Sequence, residues 1–392
     1  MTRVITLEER RRRLAERHRL LPARRTDDVR SIAEDLVALH SSDPVTVYLS
    51  AMVRMREPSV EAVSEALYER RSLLRHHAMR RTLWVATPET TRAMHAAATR
   101  KLIGPERRRT VRMLEESGVR DGDTWLADAQ DEMLKALREH GPAAARRLGD
   151  LVPGLRQPLQ LAPGKRYAAT QSAHTRVLML LAMEGAAART RPTGSWVNGQ
   201  YTWAAMDDWL PGGVDGLEER ASARDLADHW LRSFGPGTTT DLQWWTGWTG
   251  AMTRRALEDC GAVEVGLDVS TGWLAATDAA VVAEPAEPWV ALLPGLDPTT
   301  MGWKERGWYV EPAVQDVFDR NGNAGPTIWA DGRVVGAWAQ APDGDIRIHL
   351  FVDVGKARRT AIAERVGELR AMLGETRFTV RFPGTIQPVL LG

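Results

Sequence analysis

The chain has 392 residues, 43% of them hydrophobic, one cysteine and a formal net charge of +1. That length is room for roughly two to four domains. The single cysteine, Cys260, excludes a disulfide framework and any cysteine-rich zinc site, and fits a reducing cytoplasm. No apolar run reads as a membrane span, and the first residues lead into an arginine-rich helix pattern rather than a secretory leader. Charge is unevenly spread. Residues 1–110 hold 23 Lys/Arg against 14 Asp/Glu, so the remainder is acidic. Nearly all the cations are arginine, which fits phosphate binding and GC-rich coding equally.

Thr6-Leu7-Glu8-Glu9 predicts a capped helix running to about Leu21. After Pro22, the spacing of Val29, Ile32, Ala33, Leu36 and Val37 predicts a second helix over 29–39, and His40 falls next on its apolar stripe. Asp43-Pro44 predicts the start of a third helix, with Asp43 as N-cap. Four polar residues, His40 to Asp43, thus fall between two helices, at the positive end of the second, where a phosphate or an anionic intermediate is well placed. The plainer account makes His40 a satisfied core histidine and Asp43 a cap. Pro58 opens a helix over 60–68, and 73–79 and 81–86 read as strands joined around Arg80.

A repeat follows. Leu137-Arg138-Glu139-His140-Gly141-Pro142 with Leu148 matches Leu231-Arg232-Ser233-Phe234-Gly235-Pro236 with Leu242, five identities at one offset of 94 residues. Each copy continues into a helix near a Thr-Arg pair (Thr175-Arg176, Thr253-Arg254) and then a hairpin. The first hairpin is placed at Asn198-Gly199, between Trp196-Val197 and Gln200-Tyr201; the second lies between 263–267 and 273–275. The first copy carries an insertion within 151–171, whose Lys165, Arg166 and Tyr167 form either a groove-reaching hairpin tip or an ordinary surface loop. Beyond 287 short strands predominate, then a helix over 356–373 and a last strand over 378–382. The fold class read from this is α+β: three tandem winged-helix domains (1–120, 121–215, 216–285) and a C-terminal β-barrel-like domain (286–392). His76-His77 adjoin in a strand and face opposite ways, so they do not chelate together. Trp244, Trp245 and Trp248 sit at helical spacing and read as a packing face.

Several of these stretches together resemble the AlkZ/YcaQ-like DNA glycosylases of bacteria. They are residues 36–49, Arg81-Thr82-Leu83-Trp84, Gly235-Pro236 through Trp244-Trp245-Thr246-Gly247, Leu293-Pro294-Gly295-Leu296-Asp297, and 331–338. The resemblance implies a DNA-holding, C-shaped surface and hydrolytic excision of alkylated purines, including bulky or cross-linked natural-product adducts. The family's Gln-x-Gln or Gln-x-Asp turn falls on His40 and Ser42, with Asp43 one step on, so this chain carries His-x-Ser-Asp. The expected catalytic set is His40, Ser42 and Asp43: an imidazole taking the water's proton, a hydroxyl positioning the water, a carboxylate stabilising positive charge. Arg80, Arg81, Lys165, Arg166 and Tyr167 are expected at the DNA, with Arg80 solvated and Arg81 turned toward the turn. No lysine lies in the turn, so a Schiff-base lyase route is not expected. No metal or cofactor is expected, since phosphate-loop, dinucleotide and zinc-helix motifs are lacking. The expected partner is double-stranded DNA carrying alkylated purines, bound by what is expected to be a cytoplasmic, nucleoid-associated monomer with no membrane attachment. The competing reading is a non-catalytic winged-helix protein, either a regulator or a binder of lesions or of the DNA-damaging drug itself.

Overall fold

The computed structural model describes residues 3–161, 169–283 and 287–392. Helices and short antiparallel strands alternate throughout, an α+β chain. α1 (Leu7–Arg17) is capped by Thr6, whose hydroxyl accepts the Glu9 N–H. α2 (Val29–Asp35), β1 (Leu39–His40), α3 (Pro44–Met52), α4 (Val60–Tyr68), β2 (Leu74–His77) and β3 (Leu83–Ala86) follow. The strands pair in the order β1-β3-β2, with His40 opposite Trp84 and Arg75 opposite Val85.

The helix expected over 29–39 stops at Asp35. Val37 takes a positive φ of 61°, rare for a β-branched residue, and Ala38 N–H reaches back to Leu36 O at 2.6 Å. Residues 39–40 then pair with β3. Leu36, Val37, Ala38 and Leu39 are all fully buried, so a continuous apolar run was filled on every side. Such a run satisfies helical spacing and a buried strand alike, and here tertiary pairing decided for the strand.

α5 (Pro88–Met94) passes through a π-helical turn, His95–Thr99, into α6 (Arg100–Glu116), and α7 (Gly122–His140) follows. Next come β4 (Ala143–Ala144), α8 (Ala145–Leu151), β5 (Pro158–Leu161), β6 (Ala169–Ser172), α9 (Ala173–Met183), β7 (Ala187–Pro192) and β8 (Tyr201–Ala205). β5 and β6 pair as an antiparallel hairpin, so the insertion is built on a strand stem. The hairpin expected at Asn198-Gly199 does not form there. β7 ends at Pro192 and β8 begins at Tyr201, because Trp196 leaves the sheet to pack 5.1 Å from Tyr48. α10 (Met206–Trp209), α11 (Glu219–Phe234), α12 (Thr239–Thr246), α13 (Gly250–Asp259), β9 (Val263–Gly266) and β10 (Thr271–Leu274) complete this part. The repeat has a structural counterpart. Ala143 pairs with Trp203, and Gly237, 94 positions after Ala143, pairs with Trp273.

The C-terminal part holds β11 (Val290–Leu293), α14 (Pro298–Met301), β12 (Thr327–Ala330), β13 (Arg333–Gln340), β14 (Ile346–Leu350), α15 (Gly355–Leu373) and α16 (Gln387–Leu391). Its strands form an open four-stranded meander, β11-β12-β13-β14, in place of a closed barrel among the described residues. The last expected strand, 378–382, is irregular; its backbone donors go to side chains instead, Phe378 N–H to Gln340 and Arg381 N–H to Asp43. Trp245 and Trp248 are buried as a packing face predicts, and Trp245 meets Trp84 and Phe234.

One buried ion pair ties the two ends of this architecture. Arg54, just past α3, and Asp297, before α14, are both fully buried and bond through two parallel N–H···O contacts of 2.8 and 2.9 Å. Ser50 Oγ and Thr299 N–H donate to the same carboxylate, while Arg54 also donates to His18 O, Ser50 O and Thr299 Oγ1. Burial pushes the Asp297 carboxyl up, but Arg54 and these bonds outweigh it and hold it below the usual carboxylate range. Removing one partner leaves a bare buried charge, so Arg54→Leu is expected to cost about 3–5 kcal/mol; a urea midpoint within error of wild type would contradict this.

Five histidines (His18, His40, His76, His77 and His95) are buried, and burial first of all pulls each well below its ordinary value, to about 3 for His18 and His40 and about 4 for His95. Between those values and 6.5 the unfolded chain binds protons that the folded chain refuses. Stability should therefore fall as pH drops below about 6.5, each histidine contributing up to about 1.4 kcal/mol per pH unit. Melting curves from pH 7 to 4.5 should show a steep loss, and a flat Tm would mean these rings are not held neutral.

Candidate active site

The junction is strand, turn, helix. β1 delivers His40, the turn carries Ser41 and Ser42, and Asp43 caps α3, its Oδ1 accepting Val45 N–H at 3.2 Å. Pro44 at the first helical position needs no N–H partner, which suits this start. Thr46 anchors the new helix by donating to Gly295 O at 2.6 Å.

His40 is 4% exposed, its ring 4.7 Å from that of Trp84. Burial and then the charge of Arg80 pull it down to about 3, so it is neutral at physiological pH. Its Nδ1 accepts the Ser42 N–H at 3.3 Å, which places the ring proton on Nε2. Nε2 has no partner among the described residues. The free edge of the ring is then a donor. In this tautomer the ring donates to a water, whereas the role expected of it is to take the water's proton.

Asp43 is buried, and its Oδ2 accepts the backbone N–H of Arg381 at 3.0 Å. Burial raises its carboxyl above the ordinary value, against the two N–H bonds and the charge of Arg381. It sits in the wall of an open cleft of about 860 Å³ with Val197, Gln340, Phe378, Val380, Arg381 and Gln387. His40 and Ser42 are not in that wall. The turn therefore has two faces, His40 beside Trp84 and Arg80, and the Asp43 carboxylate beside the 377–391 segment.

The faces of the two wing arginines are the reverse of those expected. Arg80 lies with its guanidinium carbon 4.1 Å over Trp244, and burial, then Arg306, pull it down to about 10. Arg81 points outward, its side chain 57% exposed, and pairs with Glu106 at 2.7 Å. Both have positive φ, 55° and 64°, so strand alternation never applied to them. Lys165, Arg166 and Tyr167 lie outside the described residues. Among the described residues no group of three or more His, Cys, Asp or Glu side chains is placed to hold a metal ion, and no helix is long and apolar enough to cross a membrane.

Two residues at the turn escaped the sequence reading. Arg75 donates to Ser41 Oγ at 2.8 Å, and Arg381 supplies the second N–H to Asp43. Arg75 had a signal, a lone charge inside the apolar strand Leu73-Leu74-Arg75; Arg381 had none.

A family model described as DNA glycosylase AlkZ-like matches residues 33–372. Among solved structures, the DNA glycosylase AlkZ of Streptomyces sahachiroi matches with a TM-score of 0.70 and 21% identity, over 95% of this chain and 98% of that one. At that identity the likeness establishes the fold. No curated protein matches the chain.

The second hydrogen bond to Asp43 makes its carboxylate a structural acceptor as well as a helix cap; Asp43→Asn tests this. Asn offers one carbonyl oxygen where two backbone N–H groups need acceptors, so the variant should lose about 1–3 kcal/mol of stability even though Asn is as good a cap as Asp. An unaltered denaturation midpoint would show that the Arg381 contact contributes nothing.

Proposed function

We infer that this chain, which belongs to the AlkZ-like DNA glycosylase family, hydrolyses the N-glycosidic bond of alkylated purines in duplex DNA without lyase chemistry. The observation that carries this is the turn itself: a neutral, buried His40 two residues from Ser42, followed by the Asp43 carboxyl at the start of α3, and no lysine. An N7- or N3-alkylpurine is already cationic and leaves without a general acid. What remains is to hold the deoxyribose, stabilise its developing positive charge and direct a water. Asp43 supplies the charge stabilisation, and its oxygens keep spare lone pairs for the water's proton. His40 Nε2–H and the Ser42 hydroxyl, outside the cleft wall that holds Asp43, hold the sugar or the water from the other face of the turn.

The reading extends to the frame around the turn. Segments 1–120, 121–215 and 216–285 act as three winged helices and 286–392 as a domain built on an open four-stranded sheet, together cradling DNA as a monomer with no metal or cofactor. Arg80, Arg81 and the insertion tip (Lys165, Arg166, Tyr167) contact the strand. The surplus of 23 basic over 14 acidic residues before position 110 supplies the binding energy. Bulky or cross-linked adducts of a DNA-damaging metabolite, met in self-resistance, fit an open cleft better than an enclosed pocket does.

A second reading, a non-catalytic lesion binder, draws on one observation: both Asp43 oxygens already accept backbone N–H groups. Single-turnover assays on duplexes carrying an N7-alkylguanine, with spontaneous depurination subtracted, separate the two. The enzyme reading expects free base and an uncut abasic strand, with Asp43→Asn slower by about 10²–10³ at a temperature where it is fully folded. His40→Gln, which restores the family's usual residue, should retain activity. No excision by wild type above background would leave the binder. Affinity for undamaged duplex should fall with salt at a log–log slope of roughly −4 to −7, for about 5–8 phosphates neutralised.

A further inference from the structure

Behind the turn lies positive charge that the protein does not balance. Arg75, on β2, is 3% exposed. Its Nε donates to Ser41 Oγ at 2.8 Å and its Nη1 to the Tyr68 hydroxyl at 3.1 Å, while its guanidinium carbon stands 4.4 Å from the Tyr201 ring centre. Its Nη2 is sealed from solvent and has no partner; the Tyr201 hydroxyl is sealed and unpartnered as well. Arg189 approaches from β7, its Nη1 3.3 Å from His77 Nδ1 and its guanidinium carbon 4.3 Å over Trp203. Burial pulls Arg189 down to about 9, against Tyr201 and with Arg75 adding to the fall. Among the described residues, no carboxylate pairs with either guanidinium. Arg54 shows the contrast, since every one of its donors is matched and its charge is neutralised by Asp297.

Buried polar atoms are almost always bonded, and a buried cation without a counter-charge is rarer still. The missing partner here must be anionic and rich in acceptors, able to take Arg75 Nη2–H and the Tyr201 O–H together. An oxyanion meets both conditions. We propose that Arg75, Arg189 and Tyr201 form an oxyanion site that takes one backbone phosphate of the DNA strand beside the nucleotide held at the His40–Asp43 turn. The proposal rests on the glycosylase reading for its substrate, while the unpaired atoms stand independently of it. Arg75 joins the two places directly, holding Ser41 with Nε and the phosphate with Nη2. In the free protein both orphan atoms are covered, so binding displaces covering chain.

The test uses the full-length chain and duplexes in which a single neutral methylphosphonate is walked along the strand around an N7-alkylguanine. At one position the wild type should lose about tenfold in affinity, and Arg189→Gln should lose no more there than it has already lost. Arg189→Gln should also lower the salt slope by about one, and Tyr201→Phe, the gentler variant if the first folds poorly, should weaken binding about threefold or more. If no position couples to either variant while excision proceeds, the site is wrong and the glycosylase reading stands. If one position couples and nothing is excised, the site stands and that reading falls. A rise of Tm with inorganic phosphate that Arg189→Gln abolishes, with no coupled position on DNA, would make this a site for a free anion and overturn the proposal.

Discussion

The Arg54–Asp297 pair is the constraint on which the placement of the turn depends. It is buried on both sides and bidentate, and its spare donors and acceptors are taken up by His18, Ser50 and Thr299. Desolvating two charges is costly, and only such complete bonding offsets it. The result is directional. α3 is held at its far end by this pair, and at its near end by Thr46 on Gly295 and by Arg381 on Asp43. The helix whose N-terminus forms the turn is thereby referenced to the C-terminal part of the chain, and the turn inherits that alignment.

Around the turn the electrostatics are sorted by face. His40 is kept neutral beside Arg80, and Arg80 is laid on Trp244 rather than on an acid. On the other side of β3's sheet, Arg75 and Arg189 are stacked on aromatic rings instead of carboxylates. Cation–π contact compensates a desolvated guanidinium only in part. Cations held this way keep most of their attraction for an incoming anion, whereas the many surface arginines already paired with Asp or Glu have spent theirs.

How much of this was legible in the residues depended on whether the signal was local. The Thr6 and Asp43 caps and the helix at 60–68 were legible because each is set by near neighbours. The end of α2 was misjudged because Leu36, Val37 and Leu39 are buried on all sides, and a run apolar throughout carries no period. Asn198-Gly199 misled for a different reason: Trp196 is bound elsewhere, and a distant aromatic contact overrode a strong local turn signal. The pair Arg80-Arg81 was assigned opposite faces by strand logic that two positive φ values had already broken. Arg381 was invisible, since its contact with Asp43 spans 338 positions.

That span has a consequence for how the protein comes into being. Chains emerge from the ribosome N-terminus first, and their early parts fold before the later ones exist. Residues 40–43 are made early, yet the groups that seat them, Asp297 for α3 and the Arg381 amide for Asp43, are made hundreds of positions afterwards, 243 and 338 residues away respectively. Until those arrive, Arg54 is a cation with no counter-charge and Asp43 has one empty acceptor. The nascent chain therefore carries the turn long before it carries a finished one, and the contacts that seat it are completed only late in synthesis.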